Sequence, residues 1–558
     1  MSKYEGSDGD KLYQQALSIL SSLDSEEPYL VKRDHKKLPD DMEQVFLLED
    51  AIRMFVRLII PNEFLWAGNV LELFKKRTGI VSKSEGSLDD NNSELEDASL
   101  DSLPVINADD SPALKRAKSV QFLRIAGYKF ENHDALKLLG DLFLFKKYGH
   151  PRNATIAFQH YLKLADYGNA TAQRLVGTML ATGIGQERDY PKALIFMSFA
   201  ALGKDDLAHQ TLAYWNHAGV AVPKNCNHAA YHYGEVAKNV VKRYRNGPPG
   251  GESWKIHRKR LSDAEGGIYG SGASGSGDPT RKLKNSALSQ QDILTFYRLQ
   301  AESGDVESQL TVGQFYHQGS DTIPRDYAKA LQYFHLAANQ HPGMKAVSAP
   351  DASYSVRKAA QAASEAAGNL GKMYWRGEGV EPDEATARKW FERGAAQGNS
   401  ASLNGLGMMH LRGSAGLEKS IPKAVRYFQD AVNKDNADAM VNLAEHYMES
   451  PMVDWNRVSS LLTKAAHHGH ILAYYYLADM FLKGQGVPVN CQTALPYLKS
   501  VTEKGQLIDS SIKKAEAAYT NIDTETAFLY YAFAAEAGSE IAQTNAAWLL
   551  DRGYCLSC

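Results

Sequence analysis

The sequence lacks an apolar run long enough to cross a bilayer. The longest candidate, residues 45–66, is interrupted by Glu49, Asp50, Arg53 and Arg57. A membrane-spanning helix needs roughly 18 or more predominantly apolar residues. The first residues, MSKYEGSDGD, are polar, so no secretory signal segment is predicted at this end. The sequence as given is therefore expected to be soluble.

An excess of one charge sign is also lacking. The net charge is -3 over 558 residues, whereas nucleic-acid-binding domains are usually basic. One short basic cluster, WKIHRKR at residues 254–260, stands out. Because so few cations make few phosphate contacts, we interpret the cluster as a solvated loop. No nucleic-acid partner is predicted.

Cysteine is scarce, and the common catalytic signatures are missing. No GxxxxGK[ST], GxSxG or HExxH motif occurs. Among the 4 cysteines, Cys555 and Cys558 form a CxxC pair. A thioredoxin-like site needs a strand before such a pair and a helix after it, and neither is predicted here. Cys226 and Cys491 lie in different repeats, and their spacing does not suggest a disulfide.

The only histidine tract is AAHHGH, which contains His467, His468 and His470. A zinc site needs about four ligands in a fixed geometry. These imidazoles lie at a predicted helix end, where they commonly face water or the last carbonyls. We predict no catalytic residue, no metal site and no cofactor, and therefore no enzyme.

What the sequence does contain is a repeated helix pair, seen most clearly in residues 363–399. Gly377 and Gly379 interrupt a first helical pattern, and Pro382 with Asp383 begins a second one. Both patterns place apolar residues at helical spacing. These residues are Ala363, Ala367, Leu370 and Tyr374 in the first helix, and Ala387, Trp390, Phe391 and Ala395 in the second.

The same pattern recurs along the chain. Further copies occupy residues 135–169, 174–203, 311–338, 403–436, 441–470, 474–505 and 518–551. The copies that end at Gly398, Asn436, Gly469, Gly505 and Gly538 are spaced by 38, 33, 36 and 33 residues. A period of this length indicates stacked helix pairs. The predicted fold class is all-α, an α-solenoid forming a curved superhelix.

The order LG..Y..G.GV..D...A..WF..AA..G resembles the Sel-one-like repeat, a relative of the tetratricopeptide repeat. The matching residues are Leu370, Gly371, Tyr374, Gly377, Gly379, Val380, Asp383, Ala387, Trp390, Phe391, Ala395, Ala396 and Gly398. The glycine pair between the helices and the AA..G ending distinguish this family from generic tetratricopeptide repeats.

Composition and pattern predict the following organisation. Residues 1–82 form a helical cap, with helices at 10–22, 42–60 and 62–77, and residues 83–114 form an acidic disordered loop. Repeats occupy residues 115–245, 286–400 and 401–551, and a tail occupies 552–558. Residues 246–285 form a flexible loop whose run GSGASGSG resembles an engineered linker, with a natural spacer as the alternative.

Residues 518–551, ending IAQTNAAWLLD, resemble the C-terminal luminal repeat of the SEL-one-L and HMG-CoA reductase degradation protein three family. That family provides adaptors of an endoplasmic-reticulum ubiquitin ligase complex. The resemblance implies a non-enzymatic luminal scaffold that, at full length, carries a signal peptide and a membrane anchor. It also implies three kinds of partner: a membrane RING ubiquitin ligase, an OS-nine-type lectin and misfolded glycoproteins. The alternative is a cytosolic Sel-one-like scaffold, for instance an activator of chitin synthase, and a less favoured one is a CxxC oxidoreductase.

Two sets of candidate site residues follow. Two predicted helices contain runs of consecutive aromatic residues. Because successive residues of a helix point about 100° apart, the side chains of such a run cannot all face the core, and some should be exposed. The candidate partner contacts are Tyr474, Tyr475, Tyr476, Tyr530, Tyr531 and Trp548. Three N-x-S/T sequons, at Asn91, Asn153 and Asn169, are candidate glycosylation sites, although about three would arise by chance in a chain of this composition.

Overall fold

The computed structural model describes residues 8–26, 107, 109–247, 251, 260–264, 290–320, 323–340, 348 and 351–553. Several predicted features lie outside these residues. They are the helices predicted at 42–60 and 62–77, most of the acidic loop, most of the basic cluster, the Gly/Ser run, Asn91, Cys555 and Cys558.

Helices dominate the described residues, which contain no strand. In chain order the helices are α1 (Asp8–Glu26), α2 (Pro112–Tyr128), α3 (His133–Phe145), α4 (Ala154–Asp166), α5 (Ala170–Thr182), α6 (Tyr190–Leu202), α7 (Asp206–Ala218), α8 (Cys226–Arg245), α9 (Leu261–Ala264), α10 (Gln290–Glu302), α11 (Val306–Gln318), α12 (Tyr327–Asn339), α13 (Tyr354–Arg376), α14 (Glu384–Ala395), α15 (Ser400–Arg412), α16 (Ile421–Val432), α17 (Ala437–Met448), α18 (Trp455–His467), α19 (Ile471–Lys483), α20 (Cys491–Glu503), α21 (Asp509–Thr520), α22 (Thr524–Glu536) and α23 (Glu540–Asp551). The predicted all-α helix-pair fold is confirmed.

The described chain divides into two compact units. The first contains α1–α7, the first half of α8, α9 and α21–α23. The second contains the second half of α8 and α10–α20.

The predicted turn signals act as expected in the repeat of residues 363–399. Gly377 ends α13 with a φ of 74° and donates its N–H to the carbonyl of Met373. Asp383 begins α14, where its Oδ1 accepts the N–H of Thr386 at 3.0 Å. Gly379, with a φ of 75°, lies against the preceding repeat, because a methyl group on it would stand 2.5 Å from the Cβ of Tyr327. The glycine pair therefore ends one helix and seats the turn on a neighbouring repeat.

In four of the pairs, a glycine on the first helix faces a large side chain on the second. A methyl group on Gly371 would lie 2.5 Å from the Phe391 ring, and one on Gly407 would lie 2.6 Å from the Phe428 ring. The same relation joins Gly140 to Tyr161 and Gly313 to Phe334. The small residue lets the two helices approach closely.

Core packing in the second unit continues from repeat to repeat. The Phe391 ring lies under Gly371 of its own repeat and would also meet a methyl group on Gly405 of the next one at 2.6 Å. On the other side, the Trp390 ring packs edge-on against His335 of the preceding repeat, with 5.2 Å between ring centroids. Adjacent large residues on one helix thus join the repeat to both of its neighbours.

The core of the first unit joins elements that are far apart in the chain. Buried residues of α3–α7 and of α21–α23 belong to one hydrophobic cluster. Tyr161 and Trp215 from the early helices, and Phe528, Tyr531 and Leu549 from the last ones, are members of it. A second cluster packs α1 against α2 and α3, so the helix predicted at 10–22 caps the early repeats.

Candidate interaction surfaces

The histidine tract, for which no metal site is predicted, contains one residue with a structural contact and two exposed ones. His470 is the N-cap residue of α19, and its Nε2 lies 3.1 Å from Asp438 Oδ1. His467 and His468 are exposed at the end of α18. Within the described ranges, no group of three or more His, Cys, Asp or Glu side chains is arranged to hold a metal ion. In the same part of the chain, no helix is both long and apolar enough to cross a membrane.

Cys226 and Cys491 are both disulfide-bonded in the structure. Their oxidised state could not be predicted from the sequence, in which the two residues lie in different repeats. Disulfides persist mainly in oxidising compartments such as the endoplasmic-reticulum lumen and the cell exterior.

The tyrosine trio of α19 is half-buried and engaged within the second unit. The Tyr476 hydroxyl donates to Glu445 Oε1 at 2.6 Å. Arg245 reaches the same carboxylate at 2.8 Å and also contacts the Tyr476 hydroxyl. Burial, followed by the hydrogen bond to Glu445 and the Glu445 charge, raises the pKa of Tyr476 well above its usual range. The Tyr476 ring is therefore neutral and held in place.

The other two tyrosines of the trio make ring contacts. Tyr474 stacks on Tyr497 with 5.9 Å between ring centroids, and the Lys504 ammonium lies 5.6 Å from its ring. Tyr475 contacts only the edge of Tyr476, at 5.9 Å, among the ring pairs of the described chain. Tyr474 and Tyr475 remain candidate contact residues.

The C-terminal candidates lie in the first unit. Tyr531 is completely buried, so it is a core residue and not a contact residue, which corrects its place among the candidates. Tyr530, one position earlier, is half-buried and stacks on Phe145 with 4.5 Å between ring centroids. Burial raises the pKa of Tyr530 to about 12.

Trp548 is half-buried on α23. Its ring meets the edge of Tyr519 at 6.0 Å, and the Arg552 guanidinium lies 5.5 Å from its centroid. An aromatic ring with one packed face and a cation beside it has the makeup of many interface anchors. The position of Trp548 is therefore compatible with its predicted role.

A line of polar side chains, which the sequence did not reveal, joins first helices of the second unit. Asn442 on α17 donates to Asn404 Oδ1 on α15 at 2.8 Å, and Gln314 on α11 donates to Glu365 on α13 at 3.0 Å. Lys372 lowers the pKa of Asp438 well below its usual range, and His470 adds to the effect. The pattern of polar residues along a helix shows which face is polar but not which residue of another repeat it contacts. These links between repeats therefore could not be predicted from one sequence.

A groove of about 670 Å³ opens beside this polar line. Its walls are mainly amide and charged side chains from α13, α15 and the turns that follow α14 and α16. They include Arg357, Gln361, Glu365, Asn369, Gln397, Asn399 and Lys434. Amide side chains can donate to and accept from a peptide backbone, so the groove is chemically suited to an extended polypeptide.

The described sequons differ in exposure. Asn153 begins α4 and is exposed, as is Thr155. Asn169 begins α5, and both it and Thr171 are half-buried.

A family model described as the Sel1 repeat matches residues 133–169, 170–205, 207–238, 306–342, 364–399, 400–436, 437–470, 471–505 and 519–539, together more than half of the chain. The chain belongs to the Sel1 repeat family. Eight of the nine matches each cover most or all of two successive helices, including α7 and α8, and the match at 519–539 covers the end of α21 and α22.

Three relatives illustrate the range of similarity. Protein sel-1 homolog 2 of Mus musculus is 32% identical over 207 residues, which is 37% of this chain and 27% of that protein. An uncharacterized Sel1-like repeat-containing protein of Schizosaccharomyces pombe is 25% identical over 464 residues, or 79% of this chain and 67% of that protein. The ERAD-associated E3 ubiquitin-protein ligase component HRD3 of Candida glabrata is 22% identical over 475 residues, or 77% of this chain and 56% of that protein. The chain thus spans little more than a quarter of the mouse protein's length.

Proposed function

We propose that this chain is a non-enzymatic adaptor of an endoplasmic-reticulum-associated degradation complex and acts on the luminal side of the membrane. The observation that carries the proposal is the similarity to an ERAD-associated E3 ligase component, which extends over 77% of this chain. The oxidised state of Cys226 and Cys491 supports an oxidising compartment. A cytosolic Sel-one-like scaffold would keep such thiols reduced.

The proposed partners are a membrane RING ubiquitin ligase, an OS-nine-type lectin and misfolded glycoproteins. We assign the ligase contact to the surface around Trp548 and Tyr530, where aromatic rings are half-buried beside cations. For an unfolded substrate segment, the amide-lined groove with Asn369 and Asn399 is the better match, because it offers hydrogen bonds without a requirement for particular side chains.

The test is co-purification of the full-length protein from cells, followed by glycosidase treatment of the recovered band. We expect a glycosidase-sensitive band together with a membrane RING ligase and a lectin. A glycosidase-resistant band with cytosolic partners, for instance a chitin synthase, would leave the repeat fold intact but overturn the luminal adaptor function.

A further inference from the structure

We infer that Asn153 carries an N-linked oligosaccharide in the folded protein and that Asn169 does not. The inference rests on the proposed luminal function, because the modification requires exposure to the glycosylation machinery of the secretory pathway. The sequence alone does not separate the two positions, since both read Asn-Ala-Thr. The structure does separate them.

The acceptor atom of Asn153 is available in the folded state. Its Oδ1 accepts the N–H of Ile156 at 3.0 Å, and no hydrogen bond of its Nδ2 is found within the described ranges of the chain. Asn153 and Thr155, the two residues that the glycosylation machinery recognises, are both exposed, and Ala154 between them is half-buried.

Modification at Asn153 preserves the start of α4. The amide nitrogen attacks C1 of the first sugar of a polyprenyl-pyrophosphate-linked oligosaccharide. A C–N bond forms, the C–O bond to the pyrophosphate breaks, the lipid pyrophosphate leaves, and the nitrogen loses one proton. The amide carbonyl is unchanged, so Oδ1 still accepts from Ile156.

Asn169 offers much less room. Asn169 and Thr171 are half-buried, and the residue between them, Ala170, lies against the end of α6. The middle residue of each sequon is packed closely: a methyl group on Gly203 would stand 2.6 Å from the Ala170 Cβ, and one on Gly185 would stand 2.5 Å from the Ala154 backbone. The two sequons therefore differ in the exposure of the asparagine and the threonine, and a glycan at Asn169 would have to displace the neighbours that half-bury Asn169 and Thr171.

The test uses substitutions that remove a sequon while leaving the capping asparagine in place. In an Asn91→Gln background, we compare Thr155→Ala with the matched Thr171→Ala, and Thr155→Ser serves as the conservative rescue. The full chain carries an appended flexible tag with its own sequon, which reports exposure to the glycosylation machinery. Endoglycosidase H treatment and gel mobility give the readout, and thermal unfolding confirms that each variant folds.

We expect wild type to show one endoglycosidase-sensitive mobility shift in addition to that of the tag. Thr155→Ala should remove this shift, whereas Thr155→Ser should retain it. Thr171→Ala should leave it unchanged. A shift lost with Thr171→Ala, or no shift beyond that of the glycosylated tag, would overturn the inference while leaving the luminal function standing. An unmodified tag would contradict the luminal function itself and the inference with it.

Discussion

The indole Nε1 of Trp215 donates a hydrogen bond to Glu536 Oε2 over 3.1 Å, although 321 residues separate the two in the chain. Trp215 is fully buried in α7 and Glu536 is buried at the end of α22. This contact joins the last helices to the early repeats inside the first unit. It also places an ionisable carboxyl group in an apolar core.

Stability of the first unit should fall as pH rises towards neutrality. Burial raises the pKa of Glu536 to about 7, against the lowering effects of the Trp215 hydrogen bond and the Arg188 charge. The unfolded chain releases the Glu536 proton at a lower pH than the folded chain. The free energy of unfolding therefore decreases between about pH 4.5 and 7 and stays low above that range, with a total loss of about 3 kcal/mol.

We expect Glu536→Gln to remove this part of the pH dependence and to raise stability above neutral pH. The glutamine keeps an acceptor for the Trp215 indole. Thermal unfolding of both proteins at several values between about pH 5 and 8 measures the difference. Glu381→Gln, at an exposed position of the second unit, is the matched control. An unchanged slope in Glu536→Gln would show that Glu536 is ionised in the fold.

Gly371→Ala should destabilise the second unit by about 1–3 kcal/mol through overpacking against the Phe391 ring. Phe391→Leu in the same chain should recover part of the loss, because a smaller side chain leaves space for the methyl group. Gly234→Ala is the matched control. Gly234 is also helical, but nothing lies within 4 Å of the position of its added Cβ. There the alanine should stabilise α8 by up to about 1 kcal/mol, as measured by denaturant unfolding.

Arg152→Met should loosen the last helices from the early repeats. Arg152 is largely buried and donates to Glu525 at 3.0 Å and to the Thr526 hydroxyl at 2.7 Å. Removing the cation should cost about 1–3 kcal/mol. Hydrogen exchange of α22 amides would report the opening. Lys483→Met, which removes a mostly exposed pair with Asp479, should change stability by less than about 1 kcal/mol; equal effects of the two variants would contradict this account.

Cys226→Ser and Cys491→Ser should each lower stability by about 2–4 kcal/mol, because both residues are disulfide-bonded. Peptide mapping without reduction should find both cysteines oxidised. In reductant, wild type and variants should unfold at similar denaturant concentrations. Rapid maleimide labelling of Cys226 or Cys491 in the untreated, folded protein would contradict the disulfide-bonded state of that residue.

Trp548→Ala should weaken association with the RING ligase by about fivefold or more if this ring anchors the contact. The point variant is preferable to deletion of residues 518–551. Those residues contribute to the core that also contains α3–α7, so deletion would uncover apolar side chains of the early repeats. Quantitative co-precipitation measures the loss, and Tyr475→Ala in the second unit serves as the comparison. Equal recovery of the ligase with Trp548→Ala would place the contact elsewhere.

Local features of the fold could be predicted from the sequence because their causes are local. The turn at Gly377 depends on residues of one helix pair, and it agrees with the expectation. Contacts between distant segments could not be predicted. The spacing of residues in the sequence indicates neither the Trp215–Glu536 hydrogen bond nor the disulfide-bonded state of Cys226. The choice of Tyr531 for the core over Tyr530 depends on the rotation of α22, which one sequence does not specify.

The most direct test of the adaptor function is the lifetime of a misfolded luminal glycoprotein in cells that lack this chain. A pulse-chase experiment compares cells without the protein, cells with wild type restored, and cells with Trp548→Ala. The account predicts slow degradation without the protein, full recovery with wild type and partial recovery with the variant. An unchanged glycoprotein lifetime in cells without the protein would contradict a role in degradation.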